Sequence, residues 1–322
     1  MRYTQNALNV MASLTYKGIG KGWVAKNLTG QEPVEELVAL LNVALKTEQA
    51  SVQDFQHRKN RLLAQLEKVS DYMDGVIALG DEGFPKHRGL VKPSERPVVL
   101  FYKGDISLLD VNQTNIAVIG VLSPDQATQR EESVLVSELV KEEVTIVSGL
   151  AMGCDSIAHE QTLAMLGNTV AILPSPLHNI LPASNKGLAA QIMQKGGLVV
   201  TEYLNDASSK MAFTGRYQER DRLQALFSDG IILISSYAKN DLGNDSGSRL
   251  AMEYAKKYGI PRAVMYNALT DSNNPKYDLN RQIMRESNDV IVINPTDMVL
   301  PIRKLLNTVA KVEPVVIQDQ LF

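Results

Sequence analysis

From Asn115 onward the chain alternates short β-branched apolar runs with longer stretches of mixed polarity. The runs are IAVIG, VTIVSG, TVAIL, LVVTE, GIILIS, RAVMY and VIVIN. Strands buried on both faces read as continuous apolar runs rather than as an alternation, and strands separated by helical segments build parallel sheets. The pattern therefore predicts an α/β fold with a doubly wound, mostly parallel sheet. In such sheets the crossovers are right-handed and ligands bind beyond the carboxyl ends of the strands. The chemistry is expected in the loops that follow these runs.

Upstream the pattern differs. Residues 1–72 read as helical, with apolar periodicity from Val34 to Leu45 and from Val52 to Val69. Two strand-like runs, Val76 to Leu79 and Val98 to Tyr102, then flank a Pro- and Gly-bearing loop and form a lead-in strand pair. The expected organisation is a small helical module over 1–72, a sheet domain over 73–308 and a tail over 309–322.

Composition narrows the function classes. A chain of 322 residues with 44% hydrophobic content can fill a sizeable core. A single cysteine, Cys154, excludes an internal disulfide framework and fits a reducing compartment, and the four histidines have no metal-ligand spacing. No apolar leader or membrane-length stretch is seen, so a cytoplasmic protein without membrane contact is expected. A net charge of -3 argues against a broad basic surface. Any nucleic-acid contact must come from a local pocket of Arg, Lys and backbone N–H groups.

Three loops carry candidate chemistry. Ser148-Gly149-Leu150-Ala151-Met152-Gly153-Cys154-Asp155 joins the second strand to a helix, and small residues there let backbone approach a ligand while free N–H groups attract phosphate. The plain alternative is a tight turn capped by Asp155. Asp245-Ser246-Gly247-Ser248 opens a later helix on the same sheet edge, as a second cradle or a simple N-cap. Tyr217-Gln218-Glu219-Arg220-Asp221-Arg222 offers a ring for an unpaired base and two arginines for the flanking phosphates, although such a segment also suits a solvated amphipathic helix. Neither GxGxxG after the first strand nor a P-loop is present, so no cofactor is expected.

Together these segments resemble the DNA-processing protein A (DprA/Smf) family. Its SGLAxGID motif followed by Ala-His is matched by Ser148 to Asp155 with Ala158 and His159, and the order continues through Gly167 to Leu173, Pro182, Asn185, Gly197 and Thr201-Glu202-Tyr203. YQERDR stands where the family has a Phe-Pro segment ending Arg-Asn-Arg, and Ser246-Gly247-Ser248 follows. Gly83-Phe84-Pro85 and Pro97 to Gly104 are similar to the family's lead-in, so the resemblance covers roughly residues 76 to 295.

The resemblance implies an extended Rossmann-like domain that binds single-stranded DNA, dimerises and hands the strand to a RecA-type recombinase in transformation or recombination, without catalysis. By position Tyr217 would stack on a base, Arg220 and Arg222 would clamp phosphates, and Ser148, Gly149, Ala151 and Gly153 would form the close-approach loop. Ser246, Gly247 and Ser248 would form the second cradle. The chain departs from the family at Gly120-Val121-Leu122, where Gly-Ser-Arg is usual, and at Asp221, which puts a carboxylate where a phosphate would pass. The C-terminal winged-helix module that many members of the family carry is not expected here.

Two terminal features complete the reading. Gly18-Ile19-Gly20 resembles a helix-hairpin-helix turn that presents backbone N–H groups to a DNA phosphate, or simply joins two helices. Gln318, Leu321 and Phe322 fit the Gln-x-x-Leu-Phe pattern of peptides that dock on the bacterial sliding clamp. A second function class is a nucleotide-binding or nucleotide-hydrolysing protein on the same sheet, with Glu253 or Glu202 as general acid or base and Asp155 or Arg249 holding sugar or phosphate. A third is an adaptor whose tail recruits a replication partner.

Overall fold

The computed structural model describes residues 2–239 and 247–310. The N-terminal part comprises β1 (Arg2–Tyr3), α1 (Gln5–Ser13), α2 (Lys21–Asn27), α3 (Val34–Ala44) and α4 (Val52–Lys68). The lead-in pair follows as β2 (Gly75–Ala78) and β3 (Val99–Gly104). The alternating region then runs β4 (Asn115–Ile119), α5 (Gln126–Lys141), β5 (Thr145–Ser148), α6 (Cys154–Ala164), β6 (Thr169–Ile172), α7 (Lys186–Gln194) and β7 (Leu198–Thr201). It continues with α8 (Lys210–Leu226), β8 (Gly230–Leu233), α9 (Gly247–Tyr258), β9 (Arg262–Met265), α10 (Asp278–Glu286), β10 (Ile291–Ile293) and α11 (Val299–Ala310). All seven predicted runs are strands, and β4 to β9 are buried along their whole length.

The ten strands form one sheet in the order β1-β2-β3-β7-β6-β5-β4-β8-β9-β10. From β7 to β10 every pairing is parallel. β3 joins β7 antiparallel, and β2 joins β3 antiparallel. The winding decides where a ligand can sit. From β4 the chain steps outward through β5, β6 and β7, then returns to lay β8 against the other side of β4 and steps away through β9 and β10. The reversal between β4 and β8 is a topological switch point, where the loops above neighbouring strands diverge and leave a crevice.

Arg2 and Tyr3 lie in the stretch expected to be helical, yet they pair with Gly75 and Val76 as a parallel strand. Two residues carry no periodicity, so only the neighbouring β2 determines their conformation. The helical module does not stand apart from the sheet: Tyr16, Leu41, Phe55 and Leu66 belong to one buried apolar cluster with Val76, Phe101, Ala171 and Val199. The helices start where their caps dictate. Ser51 accepts from Asp54 N–H, Asp125 from Thr128 N–H and Ser209 from Ala212 N–H. Among the described residues no helix is long and apolar enough to cross a membrane.

Candidate functional site

A cleft of about 560 Å³ opens at the switch point. Its walls come from the end of β4 (Ile119, Gly120, Val121, Leu122), the β5–α6 loop (Ala151, Met152), α8 (Tyr217, Arg220, Gln224) and the start of α9 (Gly247, Ser248). Pro182 and Tyr237 close it. Leu122 and Met152 stand exposed at its rim, so the positions that replace the family's Gly-Ser-Arg give this cleft an apolar mouth.

Two N–H groups of the β5–α6 loop turn inward rather than to the cleft. Gly149 N–H and Ala151 N–H both donate to Asp155 Oδ2 at 3.2 Å, so the loop closes on the protein's own carboxylate. Ser148 Oγ donates to the Val118 carbonyl at 2.7 Å, and Asn185 Nδ2 donates to the Leu150 carbonyl at 2.8 Å. The glycines serve this internal closure: a Cβ on Gly149 would lie 2.2 Å from Arg220 Nη1, and one on Gly153, at φ +76°, would lie 2.3 Å from the Val121 carbonyl oxygen. At Gly149 and Ala151 the phosphate cradle expected from small residues is thus filled from within.

Beneath the loop, Cys154 is fully buried, and burial pushes its thiol well up. His159 is equally buried, with Nδ1 2.7 Å from Thr169 Oγ1, and burial lowers it to about 3, so the imidazole is neutral. These two residues of the Ala-His motif region are packing groups.

The arginines of YQERDR part company. α8 is continuous through the segment, and residues two apart on a helix do not share a face. Arg220 lies across the β5–α6 loop on the cleft wall, with Nη1 donating to the Gly149 carbonyl at 3.1 Å and Nη2 to Asp221 Oδ1 at 2.8 Å. Asp155 Oδ2 is 3.7 Å from Nη1. Arg222 points elsewhere: it is 2% exposed and donates to Glu202 Oε2 and to the Glu95 carbonyl. Glu219 and Lys21 of α2 complete this group, Lys21 Nζ lying 3.0 Å from Glu202 and 2.8 Å from Glu219. Arg222 therefore ties α8 to the Glu95 turn and to Glu202 after β7, Lys21 of α2 joining through the same carboxylates, and it does not line the cleft.

Asp221 is turned away from the cleft as well. Its carboxyl does not lie in the open path of a phosphate; it is 1% exposed, accepts from Arg220 and lies against Gly247, where a Cβ would come within 2.8 Å of Oδ2. Burial pushes it up to about 6 against the pull of Arg220. Burial likewise raises Asp155, although Arg220 and the loop N–H groups oppose the shift.

Ser248 Oγ donates to the Gly120 carbonyl at 3.0 Å and fastens α9 to β4. Ser246 lies outside the described residues, as do Gln318, Leu321 and Phe322. Glu202 is enclosed in the Arg222 group, and Glu253 pairs with Arg249 at 2.6 Å on the exposed side of α9. Neither lines the cleft. The Gly18-Ile19-Gly20 turn links α1 to α2, with Gly18 at φ +91° and Ile19 buried. Leu122, Met152 and Pro182 were named in the sequence only as motif or departure positions, and Gln224 and Tyr237 are cleft residues that sequence reasoning did not single out. Tyr237 was within reach, because it follows β8 at the carboxyl edge of the sheet.

The sequence pattern of the DNA recombination-mediator protein A family matches residues 75–299, more than half of the chain. The chain belongs to that family. Family members similar to it include the protein Smf of Escherichia coli, 28% identical over 59% of this chain and 48% of that protein. The DNA processing protein DprA of Streptococcus pneumoniae is 28% identical over 61% of this chain and 67% of its own length. The chain spans about half the length of the Smf proteins it matches, 48% for E. coli and 60% for Borreliella burgdorferi. Among solved structures, DprA of S. pneumoniae shares the fold at a TM-score of 0.67 and 20% identity, covering 94% of this chain and 98% of its own. DNA processing protein A of Helicobacter pylori, described for its single-stranded DNA binding mode, aligns at a TM-score of 0.54 and 27% identity over 71% of this chain and 99% of its own.

Proposed function

We propose that this chain is a recombination mediator that binds single-stranded DNA in the switch-point cleft and passes it to a RecA-type recombinase, without making or breaking a covalent bond. One observation carries the reading. Tyr217 stands half-buried on the cleft wall, its ring edge to face with Phe213 at 5.1 Å and the Arg220 guanidinium 5.4 Å from its centre. A ring beside an arginine on the cleft wall is a platform for an unpaired base, and such stacking tolerates any sequence. The family's description and the strand binding of the H. pylori relative support the same ligand. The hydrolase alternative finds less support. A general acid or base must reach the reacting atom, yet Glu202 and Glu253 are off the cleft and Asp155 is committed to its loop.

The test is fluorescence anisotropy of a labelled oligo-dT strand. Base–ring stacking is worth about 1–3 kcal/mol, so Tyr217→Ala is expected to weaken binding by about 5- to 150-fold while Tyr217→Phe retains it. Equal affinity for all three proteins sinks the proposal.

The cleft also carries a proton-sensitive charge. Below pH about 6 Asp221 takes up a proton and no longer offsets Arg220, so an anionic strand meets a more positive wall. Binding is expected to tighten as pH falls through that value. A unit charge roughly 10 Å away at an effective dielectric constant of about 40 is worth about 0.8 kcal/mol, roughly fourfold. Anisotropy titrations between about pH 5 and 8 check this, and Asp221→Asn should flatten the profile. A homodimer, a cytoplasmic setting and docking of Gln318, Leu321 and Phe322 on a sliding clamp belong to the same proposal.

A further inference from the structure

Beside the switch-point cleft lies a second, shallower depression of about 280 Å³. The two hollows share two elements. The loop after β6 contributes Leu181 to the depression and Pro182 to the cleft. α8 contributes Phe213 and Arg216 to the depression, and Tyr217 and Arg220 to the cleft. Positions 213, 216, 217 and 220 are spaced three and four apart, which places them on one helix face. That face runs from one hollow to the other, with the Phe213–Tyr217 ring pair at the join.

Charge is divided unequally between them. In the cleft, Arg220 is 7% exposed and offset by Asp221 and Asp155. In the depression, Lys210 is exposed and stands outside every ion pair of the described residues. Arg216 makes no direct ion pair among the described residues, although Asp206 acts on it from a distance: its guanidinium lies 4.0 Å over the Tyr203 ring and Nη1 donates to the Asn205 carbonyl at 2.8 Å. The carboxylate of the depression, Asp206, accepts from Asn179 Nδ2 at 2.8 Å, faces His178 Nε2 at 3.6 Å and offsets part of the charge of Arg216, so two cations stand against one carboxylate. The first hollow therefore suits an uncharged, flat group, and the second suits an anion.

We propose that the depression is a phosphate subsite for the same single-stranded DNA, with Lys210 and Arg216 as its cations. This rests on the strand-binding reading above. A base stacked on Tyr217 carries its flanking phosphates along the helix face, and the face leads to Lys210 and Arg216 rather than to Arg222. A guanidinium held in place by a ring and a carbonyl presents its remaining donors to phosphate in a fixed geometry.

The test measures binding of a labelled oligo-dT strand of about 20 nucleotides to the full chain between about 50 and 300 mM NaCl. Each single-stranded phosphate contact contributes about 0.7 to the slope of log K against log salt, so Lys210→Ala/Arg216→Ala is expected to lower the slope by about 1.4 and the low-salt affinity by about tenfold. Lys210→Glu, at an exposed position without structural partners, should weaken binding as well and leaves the fold intact. An unchanged slope in both variants, with the wild type binding, overturns the subsite and leaves the Tyr217 cleft standing. No binding by the wild type overturns both. Free dTMP is the second probe: displacement of the strand only at millimolar dTMP supports a strand phosphate. Equally tight binding of dTMP and strand, equally weakened by the variants, would assign the cations to a mononucleotide and overturn the proposal.

Discussion

Arg222→Ala is expected to destabilise the fold by about 3 kcal/mol, because removing one partner of a buried ion pair strands the other. Arg222 is 2% exposed, and its partner Glu202 has a side chain 4% exposed. Lys21 remains beside Glu202 at 3.0 Å, which sets the expectation at the lower end of the usual range. Urea denaturation of Arg222→Ala, Glu202→Gln and the double variant measures the coupling, and the double variant should lose less than the sum of the singles. The salt slope of oligo-dT binding should not change. A loss of slope without a loss of stability would restore Arg222 to the phosphate path and contradict the ion network.

Gly153→Ala is the second large effect, about 3 kcal/mol or more. Gly153 sits at φ +76° and ψ -128°, a region of backbone space open in practice to glycine. An added Cβ would also meet the Val121 carbonyl oxygen at 2.3 Å, a backbone atom that cannot swing away. The substitution forces either the end of β4 or the start of α6 to move, and both border the cleft. Thermal or urea unfolding checks it. Stability within about 0.5 kcal/mol of wild type, the range of substitutions away from special features, would show that the loop relaxes.

The strand runs were legible because burial on both faces leaves an unbroken apolar signature in the six runs of β4 to β9, and the edge run VIVIN keeps it although Val292 is exposed. Arg2–Tyr3 was not, since a two-residue strand is determined by Gly75 and Val76 across the sheet. At the site, the motif residues were found but their work was misjudged. Small residues at Ser148 to Gly153 read either as an opening for phosphate or as a tight turn capped by Asp155; the structure has the second, and a linear motif does not decide between them. The register of YQERDR was the deciding unknown. Once Lys210–Leu226 is one helix, Arg220 and Arg222 must face apart, while Phe213, Arg216 and Tyr217 join Arg220. Tyr217 on the cleft wall follows from that register.

Both margins of the ten-stranded sheet are short: β1 has two residues and β10 has three. A long unpaired margin is a template on which another chain can add a strand, and very short margins withhold it. Few backbone groups are left for a neighbour to pair with at either end. Self-association by strand addition is thereby discouraged.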